Sequence, residues 1–330
     1  MTKWQTPYTF PNGTAVRNRL IFAPVSTMSS NRLGQLSQTE MAFYEARSHQ
    51  VGLMILGSAT ISPSGKAYKN NVSIANDALI PNLRAYNRRI KANGAKSIIQ
   101  LYHGGQAIAY LLQHKKVPVV SDGDGSRYIT LTDQDIQKII ADFGKAIVRA
   151  INADFDGVEI HAGNPFLIQS FLSPRTNHRQ DYWGERTTFL EVLVRLALKL
   201  RAQLAPSFVI GVRLAMEEKE EGGMRLSDTA ALVSHISKLD VDYVHFNHDH
   251  IQADLAGLKQ LQDAAGRIPV VGNGGLKSEQ QLEEVLAFVP LISAARPIIL
   301  NSNFPFEGEA GTYPKGLQAS ITSSPDWYFN

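Results

Sequence analysis

Eight short apolar, β-branched runs, separated by segments that mostly read as helices, constrain this chain more than any other feature. They lie at residues 18–25, 51–57, 97–102, 157–161, 208–214, 241–246, 268–272 and 290–295. A continuous apolar run of this length fits a parallel strand covered on both faces. Parallel strands need long crossovers, and helices usually supply them. The clearest helix opens at Thr132, an N-cap with Asp135 at N3, and continues through Ile136, Ile139, Ile140, Phe143, Ile147 and Ile151. Ser227-Asp228 opens another before Ala230, Leu232, Val233 and Ile236, and Ser278 caps a third before Leu282 and Val285. The pattern predicts an α/β fold, a (β/α)8 or TIM barrel. A doubly wound sheet competes, but it usually has fewer strands and a Gly-rich turn after its first strand. The chain contains no G-x-G-x-x-G and no P-loop pattern.

Two segments fall outside the alternation. Residues 4–17 contain Phe10-Pro11-Asn12-Gly13-Thr14, and Asn-Gly favours a tight hairpin, read here as an N-terminal plug under the barrel. Residues 105–130 form a long connection containing Ser121-Asp122-Gly123-Asp124-Gly125-Ser126, read as a capping loop after the third strand. With 330 residues and no Pro/Ser-rich linker, the expectation is a single domain over residues 1–330.

Composition closes off several chemistries. The chain has no cysteine. It can hold no disulfide, no cysteine-ligated iron–sulfur cluster and no thiol nucleophile. A Cys-rich zinc site is excluded too, and no metal is expected. The formal net charge is +3, and the one short basic segment, His114-Lys115-Lys116, reads as a solvated loop, so nucleic acid is not expected as a partner. No run of about 18 apolar residues predicts a membrane span. Met1-Thr2-Lys3-Trp4-Gln5 has no apolar signal region, so the expected location is cytoplasmic.

A barrel of this type carries its active site at the C-terminal ends of its strands. That rule selects Ser26-Thr27 after the first strand, Ser58-Ala59-Thr60 after the second, and Gln100 and His103 on the third. It selects His161 with Asn164 after the fourth, Arg213 on the fifth, and His245, Asn247 and His248 on the sixth. Asn273-Gly274-Gly275 end the seventh and Arg296 the eighth. Singly, most of these read as salt-bridge or turn residues. Asn164 before Pro165 also reads as a helix N-cap with Pro at N1. The pair formed by Gly274-Gly275 and Arg296 is more specific. Glycine lets backbone N–H groups approach a phosphate, and Arg offers a cationic fork. Barrels often bind phosphate with the loops after strands seven and eight.

Several longer motifs run in one order along the chain. They are Asn18-Arg19-Leu20-Ile21-Phe22-Ala23-Pro24, Gln100-Leu101-Tyr102-His103-Gly104-Gly105, and the run from Phe155 through Glu159-Ile160-His161-Ala162-Gly163-Asn164. Phe171-Leu172-Ser173-Pro174, Asn177-His178-Arg179 and Gly211-Val212-Arg213-Leu214 follow. In these the chain resembles the Old Yellow Enzyme family of FMN-dependent ene reductases, the NADH:flavin oxidoreductases, from about Arg17 to Asn303. The resemblance implies bound FMN as cofactor and NADH or NADPH as reductant. It implies that Ala23, Pro24, Val25 and Ser26 line the flavin, that Ala59 packs close to it and that Gln100 meets its pyrimidine edge. Arg213 would stabilise negative charge on the reduced ring. Gly274, Gly275, Ala295 and Arg296 would hold the phosphate, with Ala295 standing where the family has Gly. His161 and Asn164 would be the catalytic pair that donates to the substrate carbonyl oxygen. The small-molecule substrate would be an α,β-unsaturated carbonyl, a quinone or a nitro compound.

The chain departs from the family pattern at Pro165-Phe166, where Gly-Tyr is usual and the Tyr protonates the substrate. Phe has no proton to give, which leaves water, Tyr182 or Tyr102 as sources. Asp181-Tyr182-Trp183-Gly184-Glu185 departs as well, and Trp183 reads either as a packed loop aromatic or as a residue shaping access. Two alternatives stay open: a flavin-binding barrel with weak or altered turnover, and a non-flavin phosphate-ester lyase or isomerase on the same fold. No lysine at a strand end supports the latter through a Schiff base. The aromatic tail Trp327-Tyr328-Phe329-Asn330 either packs on its own barrel or reaches a neighbour in a homo-oligomer.

Overall fold

The eight apolar runs close into one parallel barrel. Its strands are β1 (Leu20–Phe22), β2 (Leu53–Thr60), β3 (Lys96–Tyr102), β4 (Gly157–Ala162), β5 (Val209–Ala215), β6 (Tyr243–Asn247), β7 (Val270–Asn273) and β8 (Leu291–Ala294). Each strand pairs with the next, and β8 pairs back onto β1 through Ile292–Leu20, Ser293–Ile21 and Ala294–Phe22. This is the expected (β/α)8 fold, seen in a computed structural model that describes residues 2–110, 116–163, 165–308 and 313–323.

The helices form where apolar stripes and caps coincide. Helix α3 (Asp133–Asn152) buries Ile136, Ile139, Ile140, Phe143 and Ile147. At its start the Asp135 N–H donates to Thr132 Oγ1 (3.2 Å) and the Thr132 N–H donates to Asp135 (3.0 Å), a reciprocal cap. Helix α8 (Glu279–Leu286) is capped by Ser278 as expected. Helix α6 (Leu226–Ile236) starts one residue before the expected Ser227, because Asp228 accepts from the Arg225 N–H (2.9 Å) and so fixes Arg225 as the cap. Helix α4 (Leu167–Leu172) has Phe166, not Asn164, at its N-cap, and Pro165 sits in the preceding turn.

Strand β2 contains a register shift between Leu56 and Ala59 against β3. Before it, Leu53 and Ile55 point into the barrel interior, while Met54 and Leu56 face the helices. The extra residue reverses that alternation, as a one-residue bulge must. Gly57 is needed there because a Cβ would lie 2.9 Å from the Gln100 Cβ.

The N-terminal segment makes an antiparallel hairpin of Tyr8–Thr9 with Ala15–Val16. Phe10 and Val16 join one buried cluster with Ile21, Leu53, Ile98, Val209 and Leu291, the interior residues near the strand starts. After β3, Val117–Val119 and Tyr128–Thr130 pair as a short ribbon. Its Val117 is buried with Tyr102 and Phe166. His114, Lys115 and residues 324–330 lie outside the described residues.

The seam between the first and last strands is held from α1 (Gln38–Arg47). Arg47 is 1% exposed. Its guanidinium donates to the carbonyls of Ile298 (3.0 Å) and Ile299 (2.7 Å) on α9 (Arg296–Leu300), and to its own helix at Phe43 (3.0 Å). Among the described residues no helix is long and apolar enough to cross a membrane.

Candidate active site

A cavity of about 440 Å³ opens at the C-terminal ends of the strands. It is lined after β1 by Ala23, Pro24, Val25, Ser26 and Met28, and on β2 to β5 by Ser58, Gln100, His161 and Arg213. Gly163 and Phe166 follow β4, and Tyr68 comes from the loop after β2. The floor is closed by Asn247, Asn273, Gly274, Gly275, Ala295 and Arg296. Eleven of the thirteen residues expected at the site therefore share one cavity wall. Asn164 lies outside the described residues.

Ala59 is the exception. It is fully buried in the layer between barrel and helices, and Ser58 lines the cavity instead. The bulge in β2 causes this: an unbroken strand would aim Ala59 inward with Leu53 and Ile55. The Ser58 and Ser26 hydroxyls lie 3.3 Å apart.

His161 reaches the cavity from β4. Burial, then the nearby Arg213 guanidinium, lowers its pKa to about 3, so the ring is neutral at physiological pH. The Gly163 N–H donates to its Nδ1 (3.2 Å), which leaves the ring proton on Nε2. His161 is thus a neutral hydrogen-bond donor. His103, also selected from sequence, is buried away from the cavity; its Nδ1 accepts from the Gly105 N–H (3.2 Å) and burial lowers its pKa to about 4.

A charged network lies deeper in the barrel. Glu159 and His161 are two residues apart on β4 and so share the inward face. Glu159 Oε1 accepts from Gln100 Nε2 (2.7 Å), and Oε2 accepts from the Tyr243 hydroxyl (2.9 Å) and from His245 Nδ1 (2.8 Å). The other ring nitrogen, His245 Nε2, meets Ser293 Oγ at 2.8 Å. Burial opposes ionisation of Glu159, but His245, Arg213 and Gln100 outweigh it and hold the carboxyl at about 2. Arg213 Nη2 donates to Asn247 Oδ1 (2.9 Å), while its buried Nε has no partner among the described residues. An orphaned guanidinium N–H in a cavity wall fits a ligand acceptor.

At the opposite edge, Gly274 and Gly275 have φ values of +135° and +67°. A Cβ on Gly274 would lie 1.7 Å from the His248 carbonyl oxygen. The turn is therefore closed to any side chain and presents bare backbone beside Arg296, as a phosphate site requires.

The question raised by Phe166 turns on the aromatic corner of the cavity. Phe166 packs against His161 with ring centres 4.7 Å apart, and against Tyr102 at 4.9 Å. Tyr102 is not a cavity residue; its hydroxyl accepts from the Ala67 N–H and from Asn71 Nδ2 (3.2 Å each), and burial pushes its pKa up to about 12. Tyr182 is 69% exposed and contacts Trp183, which is buried and donates from Nε1 to Asp133 (2.7 Å). Neither tyrosine lines the cavity. Tyr68 does, edge-on to Phe166 at 6.3 Å. No strand-end rule selects it, since it sits eight residues past the end of β2, and its only signal was a tyrosine in a loop on the correct face. Among the described residues no cluster of three or more His, Asp or Glu side chains could hold a metal.

A (β/α)8 barrel whose mouth joins a bare glycine turn and Arg296 to an inward-facing Gln, Arg and neutral His is built like a flavin-nucleotide oxidoreductase. The chain belongs to the NADH:flavin oxidoreductase / NADH oxidase family, whose model matches residues 5–314. It is 32% identical over 324 residues to the probable NADH-dependent flavin oxidoreductase YqiG of Bacillus subtilis, covering 92% of this chain and 87% of that one. It is 36% identical over 252 residues to the NADH:fumarate oxidoreductase of Klebsiella pneumoniae, but that match covers 73% of this chain and only 27% of the relative. Among solved structures, morphinone reductase in complex with tetrahydroNAD superposes with a TM-score of 0.77 at 20% identity, over 92% of this chain and 90% of that one. The Old Yellow Enzyme homologue of Zymomonas mobilis superposes with a TM-score of 0.79 at 23% identity, over 92% and 91%. The resemblance read from the motifs thus holds, and the protein is an NAD(P)H-dependent flavin oxidoreductase with FMN as its cofactor.

Proposed function

We propose that this barrel reduces small neutral acceptors in which an alkene is conjugated to a carbonyl, with quinones and nitro compounds as further acceptors. When bound there, FMN would supply the hydride chemistry that links NAD(P)H to the acceptor. The residues of the chain do the rest. Gly274, Gly275, Ala295 and Arg296 hold the phosphate. Ala23, Pro24, Val25, Ser26, Gln100 and Arg213 hold the ring, and Ser58 takes the place expected of Ala59. Arg213 offers its unpartnered N–H where negative charge gathers on reduction.

The observation that carries this reading is His161, neutral and with its proton on Nε2. When hydride reaches the β carbon of an enone, charge develops on the carbonyl oxygen. A neutral preorganised donor stabilises that charge without first attracting an anion. Asn164 is proposed as its partner donor. The substrate end of the cavity offers Met28, Tyr68 and Phe166 and, among the described residues, no lysine. Its arginines, Arg213 and Arg296, are committed to the cofactor. This favours neutral carbonyl acceptors over carboxylates such as the one named for the fumarate relative. The proton at the α carbon is assigned to Tyr68, the cavity's tyrosine among the described residues. Residues 1–330 are read as one such domain, working in the cytoplasm where NAD(P)H is at hand.

The test is sequential. The purified protein is expected to be yellow, with one FMN released per chain. NADH or NADPH without oxygen should bleach it, and cyclohexenone should then restore the colour faster than acrylate or fumarate does. Bleaching with no reoxidation by any enone would overturn the substrate assignment and favour the altered-turnover alternative that Phe166 suggests.

A further inference from the structure

The cofactor and substrate assignments leave one buried acid unused. Glu159 is fully buried on the interior face of β4, below the cavity and outside its wall. A carboxylate there is costly unless donors and countercharge surround it. It receives three donors, from Gln100, Tyr243 and His245, and Arg213 stands close enough to act on its charge.

Two consequences follow from this geometry. First, a carboxylate only accepts, so it takes the NH2 end of the Gln100 amide and rejects the oxygen end. Gln100 lines the cavity, and its amide orientation is therefore set from below. Second, Arg213 lines the same cavity and carries the positive charge that meets negative charge on a reduced ring. An anion buried within Coulomb reach weakens that pull. The His245 to Ser293 link ties the same carboxylate to β6 and β8, so its position is fixed across the barrel.

We propose that Glu159 is a positioning residue that orients the Gln100 amide and offsets the charge of Arg213, and thereby lowers the reduction potential of bound FMN. The inference rests on FMN occupying the cavity, which the colour of the unaltered protein checks separately.

Glu159→Gln keeps the size but removes the charge and turns one accepting oxygen into a donor NH2. With a reference dye, its FMN is expected to equilibrate at least tenfold further toward the reduced form, about 30 mV upward for a two-electron couple. Its affinity for FMN should fall about tenfold as the Gln100 amide becomes free to turn. Glu159→Asp keeps the charge and shortens the reach. It should weaken FMN binding while leaving the dye equilibrium within twofold. If Glu159→Gln binds FMN yet equilibrates as the unaltered protein does, or if Glu159→Asp moves the potential as far as Glu159→Gln, the charge-offset role is wrong. Should Glu159→Gln fail to fold, Tyr243→Phe reads the same charge. It strips one donor from the carboxylate, leaves its charge more fully felt at Arg213, and should shift the potential downward. A potential unmoved by Tyr243→Phe would then overturn the proposal.

Discussion

The rings of His161 and Phe166 lie 4.7 Å apart and 72° from coplanar. The side chain that replaces the family's usual proton donor thus touches the side chain proposed to bind the substrate oxygen. Phe166→Tyr places a hydroxyl at that corner. The expected result is enone reduction at least tenfold faster, with NAD(P)H bleaching unchanged. Stopped-flow measurement of the two half-reactions separates these effects. An unchanged enone rate would mean that proton delivery does not limit the step.

Tyr68→Phe tests the assigned donor directly. It should slow enone reduction by about 10²-fold, the lower range for loss of a positioned general acid. Quinone reduction needs no proton at carbon and should fall much less. Equal loss with both acceptors would point to packing against Phe166 rather than proton transfer.

His161→Ala removes a neutral donor. Losing one preorganised donor to a developing oxyanion typically costs 10² to 10³ in rate. A drop of about that size in enone reduction is expected, with weaker binding of phenols, seen as loss of their charge-transfer absorbance. Because burial and Arg213 hold this histidine's pKa at about 3, it keeps one protonation state from pH 5 to 8. A rate that follows an ionisation near pH 6.5 in the unaltered protein, and loses it in His161→Ala, would contradict the neutral-donor role.

The proposed phosphate site predicts discrimination between FMN and riboflavin, which differ by the phosphate alone. Arg296→Ala should weaken FMN binding and leave riboflavin binding nearly as it was, narrowing the ratio of the two affinities. Gly274→Ala forces a Cβ onto the His248 carbonyl and should yield colourless protein. Flavin fluorescence on titration measures both. An undiminished FMN to riboflavin ratio in Arg296→Ala would move the phosphate elsewhere.

Acid sensitivity follows from histidines kept neutral. His103 has a folded pKa of about 4, lowered by burial, against about 6.5 for a free side chain. Between those values the unfolded chain binds a proton that the folded chain refuses. Stability therefore falls as pH drops from 6.5 toward 4, with a slope of up to about 1.4 kcal/mol per pH unit for such a group. Denaturant midpoints at pH 7 and pH 5 should differ by less in His103→Asn than in the unaltered protein. Parallel slopes would show that His103 does not carry the effect.

The barrel was legible because each strand announced itself as an apolar run, and three of them again by a helix start at Thr132, Ser227 or Ser278. Strand-end reasoning then brought most of the cavity wall together, since neighbouring parallel strands deliver their last residues to one rim. It failed at Ala59 because strand parity changes at Gly57-Ser58, and only the glycine inside an apolar run hints at a bulge. It failed at Tyr68 because a loop has no period from which to read direction. The role of Glu159 stayed hidden because three of its neighbours come from β3 and β6, and sequence spacing cannot reveal partners brought together by closure.

Closure also sets an order of events. The cavity draws on the segment after β1, on β7 and on α9, and Arg47 from α1 grips α9 across the seam where the last strand meets the first. A ribosome delivers the cavity residues Ala23 to Ser26 long before Gly274 and Arg296. A growing chain therefore has nowhere to seat the coenzyme's phosphate until its last strand has docked. On the proposed site, flavin loading is expected to follow synthesis, and retained FMN becomes a readout of whether the barrel has closed.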